Sequence, residues 1–396
     1  MKHRTVVIAS ALLCAACGEA TEPLPSIRTG PARAAGAEVR LTDLGLLPGG
    51  TSTSALGLND LGQVAGHGDR RTGDVTQPAF LWDGGRVTEL ALDQPDAFAA
   101  TVRLSESGQV VVGFENGSGL EQAVVWRNGE FTDLGTLGGC CTFPRAINVT
   151  GDIAGFSETR TGQLHAFLWR DGVMRDLGTL GGASSDASAI NARGQIAGTS
   201  QTATGEQRAV LWEGGTIVDL GTLGGFASGA IGINGRGQII GTSQTAFGEL
   251  HAFVWEHGTM IDLGTLGGQL STPQAINEKG EIVGVSETAL GDRHAFLWRD
   301  GVMTDLGTLG GVASIAMDIN ERGQVVGTSE TAEGAQHAFL WQEGTMFDLD
   351  VTGGPFSEAL FINERGQIAG NSLAASGFTH AVLWEIVPRA GGASPP

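Results

Sequence analysis

Histidine and aspartate recur through this sequence at spacings that invite metal or acid–base chemistry. His165, His251, His294 and His337 each open a His-Ala-Phe tripeptide, and His380 opens a near copy. Asp133, Asp176, Asp219, Asp262, Asp305 and Asp348 each precede a Leu and open a Gly-rich stretch, most often Asp-Leu-Gly-Thr-Leu-Gly-Gly. Imidazoles at fixed spacing suit a zinc site, and paired carboxylates suit glycoside hydrolysis. The companions such sites need are missing from the sequence. There is no Cys-x-x-Cys pair, no calcium-loop pattern, no Gly-x-Ser-x-Gly elbow, and no Gly-Lys-Ser/Thr after the glycine pairs. Cys140 and Cys141 are adjacent, which allows either a vicinal disulfide or two buried thiols.

These residues sit inside a larger pattern. Each of the Trp residues at 82, 126, 169, 212, 255, 298, 341 and 384 belongs to a copy of one stretch, seen as HAFLWRDGVMTDLGTLGG from His294. The first interval is 44 residues and the rest are 43, so one supersecondary unit is repeated. Within a unit, Gly-containing turns separate short apolar runs, and no run has helical periodicity. Four short strands per unit are predicted. In His165–Trp169, His165, Phe167 and Trp169 alternate with Ala166 and Leu168, so both faces of the sheet are apolar. Such sheets must be sandwiched between neighbours.

The fold class expected is therefore all-β: an eight-bladed β-propeller of four-stranded antiparallel blades over residues 39–387. The ends support closure over the alternative of an open solenoid. The first recognisable piece, from Val39, is a fourth strand without predecessors, while the last unit ends after its third strand. An N-terminal strand completing the C-terminal blade would remove the free edges. The His-Ala-Phe, Asp-Leu-Gly-Thr-Leu-Gly-Gly and Ile-Asn-x-x-Gly motifs resemble the HAF family of probable extracellular repeats of bacteria. That resemblance implies export and carries no catalytic or ligand residues.

The propeller geometry argues against a shared metal. The His side chains would lie roughly 17–20 Å from the axis and about 13–15 Å from their equivalents, too far for one ion. A structural network of His, a Ser or Thr, Trp and Asp within each blade is expected instead. No metal and no cofactor are expected.

Residues 1–16 read as a signal peptide, with a basic start at Lys2–Arg4 and a short apolar core. Its end, LLCAACGEA, resembles bacterial lipoprotein signals, which implies lipidation of Cys17 and membrane tethering at the outer membrane or cell surface. Ordinary cleavage with secretion or periplasmic residence is the alternative. Residues 17–38 read as the lipidated Cys and a flexible tether, and 388–396 as a disordered tail. The formal charge of −20 is spread along the chain and excludes nucleic acid as a natural partner. A monomer is expected.

Six-residue stretches differ between otherwise near-identical units, at 140–145, 183–188, 226–231, 269–274, 312–317 and 355–360. They are expected in the connections between blades. The loops between second and third strands vary too, with Arg160, Thr204, Phe247, Leu290 and Glu333 expected at equivalent places on the same face of the disc. A fixed frame with a varied face suits a binding surface. Phe143, Arg145, Asp186, Phe226, Phe247, Gln269 and Phe356 are the candidate contacts. The function expected is non-enzymatic binding of extracellular carbohydrate or protein; the alternative is a polysaccharide lyase or glycosidase. Tyr is absent, and His and Asp mostly fall at repeated positions, which favours binding.

Overall fold

The computed structural model describes residues 27–30, 37–72, 74–92, 98–350 and 353–388. The signal peptide, Cys17, most of the expected tether and nearly all of the expected tail lie outside these residues.

Every regular element described is a strand, and seven four-stranded antiparallel sheets follow one another along the chain. The third is typical: Gly138–Ile147, Ile153–Thr159, Leu164–Arg170 and Val173–Asp176, hydrogen-bonded in that order. The last sheet holds Ser357–Ile362, Gln367–Leu373 and Thr379–Pro388, and takes Ala37–Asp43 from the other end of the chain. Trp384 there stands opposite Leu41. Within the segment expected as tether, Ile27–Gly30 pairs with Ala37–Asp43 as a further edge strand.

Alternation along the third strands builds the core. Phe167, Trp169 and Ile153 of the third sheet pack on Val111, Ala123 and Val125 of the second. Ala154 and Ala166, on the opposite face, receive Ile196, Val210 and Trp212 of the fourth. A bulky face thus meets a small-residue face at each joint. Full burial of an aromatic or large aliphatic side chain stabilises by roughly 1.5–3 kcal/mol. The same packing joins the two ends, where Ala369, Ala381 and Leu383 meet Val64, Phe80 and Trp82.

The strand nearest the chain-entry side of each sheet contacts its equivalents in both neighbouring sheets, so these inner strands form a closed circuit. Asn ladders tie them together. Asn148 Nδ2 donates to the Asn191 carbonyl at 3.1 Å, and Asn191 to that of Asn234 at 3.0 Å. The ladder continues through Asn277, Asn320 and Asn363 to the Asn59 and Ser105 carbonyls. Each of these Asn side chains also accepts from its own turn, as Asn234 Oδ1 does from the Arg236 and Gln238 amides. The repeated Ile-Asn pair of the sequence is therefore the seam between sheets.

A close approach fixes one glycine in every sheet but the second, where a Cβ on Gly113 would come no nearer than 3.0 Å, to a Pro144 side-chain carbon. A Cβ on Gly155 would lie 2.1 Å from the Phe143 carbonyl oxygen, and one on Gly198 would lie 2.0 Å from that of Asp186. The inner strand shifts register beside this point, between Pro144 and Ala146 in the third sheet.

Candidate binding site

The repeated polar residues are consumed by the frame. His165 Nδ1 lies 2.9 Å from Asp176 Oδ2, and the Gly178 amide donates to Asp176 Oδ1 at 2.7 Å. His251–Asp262, His294–Asp305 and His337–Asp348 repeat the pair. His380 does so with Asp43, across the joined ends of the chain. Beside each pair a hydroxyl clips neighbouring sheets. The Ala166 amide donates to Ser185 Oγ at 2.8 Å, and that hydroxyl donates to the Gly178 carbonyl at 2.7 Å.

The expected network thus holds for His, Asp and Ser. It does not hold for Trp as a whole. Trp212 Nε1 reaches the Leu177 carbonyl, but the buried Nε1 of Trp82, Trp169 and Trp384 has no hydrogen-bond partner. The indoles serve the core.

Five of the six varied stretches lie wholly within strands, and the sixth, 355–360, enters Ser357–Ile362 at its third residue. Residues 140–145 lie in Gly138–Ile147 and residues 183–188 in Gly181–Ile190, both inner strands. Variation falls on the first, second, fourth and sixth residues of each stretch, while the third is always Ser or Thr and the fifth always Ala or Pro. The third residue of each stretch, Thr142, Ser185, Ser228, Ser271, Ser314 or Ser357, is the buried hydroxyl of the clip. Arg160 falls one place before the equivalent of Phe247, because Leu137 pairs with Thr159 as Leu223 pairs with Thr245. Thr161 stands at the Phe247 position.

Three of the seven candidates come together where the third and fourth sheets meet. Phe143 stacks on Phe156 with ring centroids 4.6 Å apart. The Arg145 guanidinium lies 5.1 Å from the centre of the Phe156 ring, and its Nη2 lies 3.6 Å from Asp186 Oδ2. Asp186 Oδ1 is buried without a hydrogen-bond partner. Burial pushes the Asp186 carboxyl above its ordinary range, against the pull of Arg145. Phe156, Leu164, Ser184, Ser185, Asp186, Thr199 and Gln207 line a cavity of about 310 Å³. Its lining is mainly apolar, with hydroxyl, amide and carboxylate groups among the lining residues.

The other candidates lie apart from this cavity. Phe226 and Phe247, on the fifth sheet, are 78% and 92% exposed, and Leu290, in the next sheet's equivalent of Phe247, is 90% exposed. Gln269 is exposed at the Phe226 position of the sixth sheet, with its amide donating to Glu287. Phe356 is half-buried, and its carbonyl accepts from the Leu373 amide.

Sequence reasoning passed over Phe156, Leu164 and Gln207. The signal for Phe156 was present: its equivalents are Thr199, Thr242, Val285 and Thr328, so an aromatic there breaks the repeat.

Comparison with solved structures settles the architecture. The β-propeller domain of the Trilobed protease from Pyrococcus furiosus matches with a TM-score of 0.51 at 11% identity, over 77% of this chain and 100% of that one. The fold is a β-propeller. Dipeptidyl peptidase 4 from Porphyromonas gingivalis gives a TM-score of 0.54 at 9% identity, over 88% of this chain and 64% of that one. A puromycin hydrolase gives 0.50 at 13%, over 86% and 60%. The propeller thus spans under two thirds of those two enzymes, and identities so low speak to fold alone. No family model and no curated protein matches the chain.

Proposed function

We propose that this chain is an exported, eight-bladed propeller that binds extracellular carbohydrate without turning it over. In this reading the last sheet, completed by Ala37–Asp43, is the eighth blade. A lipidated Cys17 tethers the propeller to the membrane, in keeping with the resemblance to HAF repeats.

The observation that carries the reading is the break in symmetry at the third and fourth sheets. One cavity there joins an apolar wall, Phe156 and Leu164, to the partnerless Oδ1 of Asp186. Sugars present the matching chemistry: apolar ring faces with hydroxyl donors at their edges. The exposed Phe226 and Phe247 offer further stacking surface for an extended chain. The His and Asp residues that would serve a hydrolase or lyase are already paired to each other in the frame, which supports binding over catalysis.

The test is retention of the full chain on a panel of bacterial and plant polysaccharides, scored together with newly released sugar ends. Retention without new ends is expected. It should fall at least ten-fold in Phe156→Thr and Asp186→Thr, changes that copy Thr199 and Thr272 of other sheets. New reducing or unsaturated ends would replace binding by catalysis. Absence of retention across the panel would turn the search to a protein ligand.

A further inference from the structure

The third sheet carries a second break in the repeat. Cys140 and Cys141 form a vicinal disulfide at the start of its inner strand. The equivalent pairs are Ala183-Ser184, Phe226-Ala227, Gln269-Leu270, Val312-Ala313 and Pro355-Phe356, so the frame has no need of sulfur there. Cys140 is exposed and Cys141 half-buried, which leaves the pair open to reductants.

A frame residue holds a carboxylate against this pair. The Cys140 amide donates to Glu158 Oε2 at 2.9 Å. The same bond recurs from Ala183 to Gln201, from Phe226 to Gln244, from Gln269 to Glu287 and from Val312 to Glu330. The position of Glu158 is thus set by the repeat, independently of the sulfurs. Its Oε2 lies 2.7 Å from Cys140 Sγ, an approach suited to a thiol, which has a proton to share. Both sulfurs and a carboxylate oxygen lie within 4.8 Å of one another.

We propose that Cys140, Cys141 and Glu158 form a redox-gated site for a soft divalent cation, closed as the disulfide and opened by a dithiol. A thiolate of the reductant attacks one sulfur, breaking the S–S bond and releasing the other as a thiolate, so that a mixed disulfide forms. The reductant's second thiolate then attacks the reductant sulfur of that bond and displaces the protein sulfur still held in it. The protein disulfide gains two electrons and two protons, and the reductant leaves as its own disulfide. The cation displaces the two thiol protons to solvent and is held by two thiolates and the Glu158 carboxylate, with water completing a tetrahedral set. In the oxidised state the sulfur lone pairs no longer belong to thiolates, and one carboxylate is too few to hold the ion.

The experiment titrates Cd²⁺ into the full chain, oxidised and after dithiothreitol treatment and anaerobic removal of the reductant. Thiolate-to-cadmium absorption is read in the ultraviolet. Reduction should add one equivalent of uptake. That equivalent should vanish in the Cys140→Ala/Cys141→Ser double variant, which copies Ala183-Ser184 of the fourth sheet. Cys14 and Cys17 are present in both proteins, so the difference belongs to the pair. Glu158→Gln, which copies Gln201, should weaken binding by about ten-fold. Equal uptake before and after reduction, an unchanged double variant, or full affinity in Glu158→Gln would each overturn the proposal.

Discussion

Among single residues, the departures from the repeat carry the chemistry and the repeated ones carry the frame. Asp318 shows what a departure does away from the cavity. Its equivalents Ala146, Ala189, Gly232 and Ala275 are small, whereas Asp318 accepts the amides of Ile319 and of Ile362 in the last sheet. Burial pushes its carboxyl up to about 7, against those two hydrogen bonds and with help from the nearby Glu364. The folded state therefore holds a proton that the unfolded chain releases near pH 4. Stability from this group is present at acid pH and declines as pH rises from about 4 to about 7. Denaturant unfolding at pH 5 and pH 8 should show a smaller loss in Asp318→Asn than in the parent; an equal loss would place the titration elsewhere. Such departures were legible as sequence wherever the copies could be aligned, as with Phe143 and Asp186. Their convergence was not, because it depends on the register that brings Arg145 of one sheet to Asp186 of the next.

The four-strand unit was legible as an element because its punctuation is strong. Glycine turns and period-two alternation mark every strand, and the third strands fall where His-Ala-Phe-Leu-Trp predicted them. The inner strands were misjudged because variable residues read as loop. The Ser or Thr fixed at the third place of each stretch is the clue to a buried, hydrogen-bonded strand. The turns between third and outer strands make a further test. Asp171-Gly172 and His257-Gly258 both adopt positive φ, at 51° and 82°, and at 50° and 85°. Such two-residue turns favour Asn-Gly, since a bulky side chain is strained in that region. His257→Asn should raise the melting temperature, with a gain of about 0.5–1 kcal/mol. The seam gives the opposite sign. Asn234→Ala removes two accepted amides and the donation to the Asn277 carbonyl, and should cost about 1–3 kcal/mol. Asn234→Ser, which copies Ser105, should cost less, and equal melting temperatures for the two variants would remove the seam from the account.

For the whole molecule, the decisive element is the strand that joins the two ends of the chain. Ala37–Asp43 supplies the partner of Thr379–Pro388, places Val39 and Leu41 in the core of the last sheet, and pairs Asp43 with His380. The residues just beyond it, Leu44 and Leu47, are buried in the joint between the first and last sheets. That joint also contains the Ala55 amide donating to Asn371 Oδ1 and the Asn363 donation to Asn59. In an open array, loss of a terminal strand would weaken one sheet and leave distant sheets intact. In a closed circuit it frees the last sheet from the first and exposes new edges at both. Deleting residues 37–43 should therefore lower the melting temperature and, in hydrogen exchange, also release the amides of Thr53–Leu58 in the first sheet. Protection there unchanged from the parent would mean that the joint forms without the strand. Loss of protection confined to the first and last sheets would mean that the other joints hold on their own. Loss throughout would make the circuit one cooperative unit, with the cavity between the third and fourth sheets held in shape by contacts made at the far side of the ring.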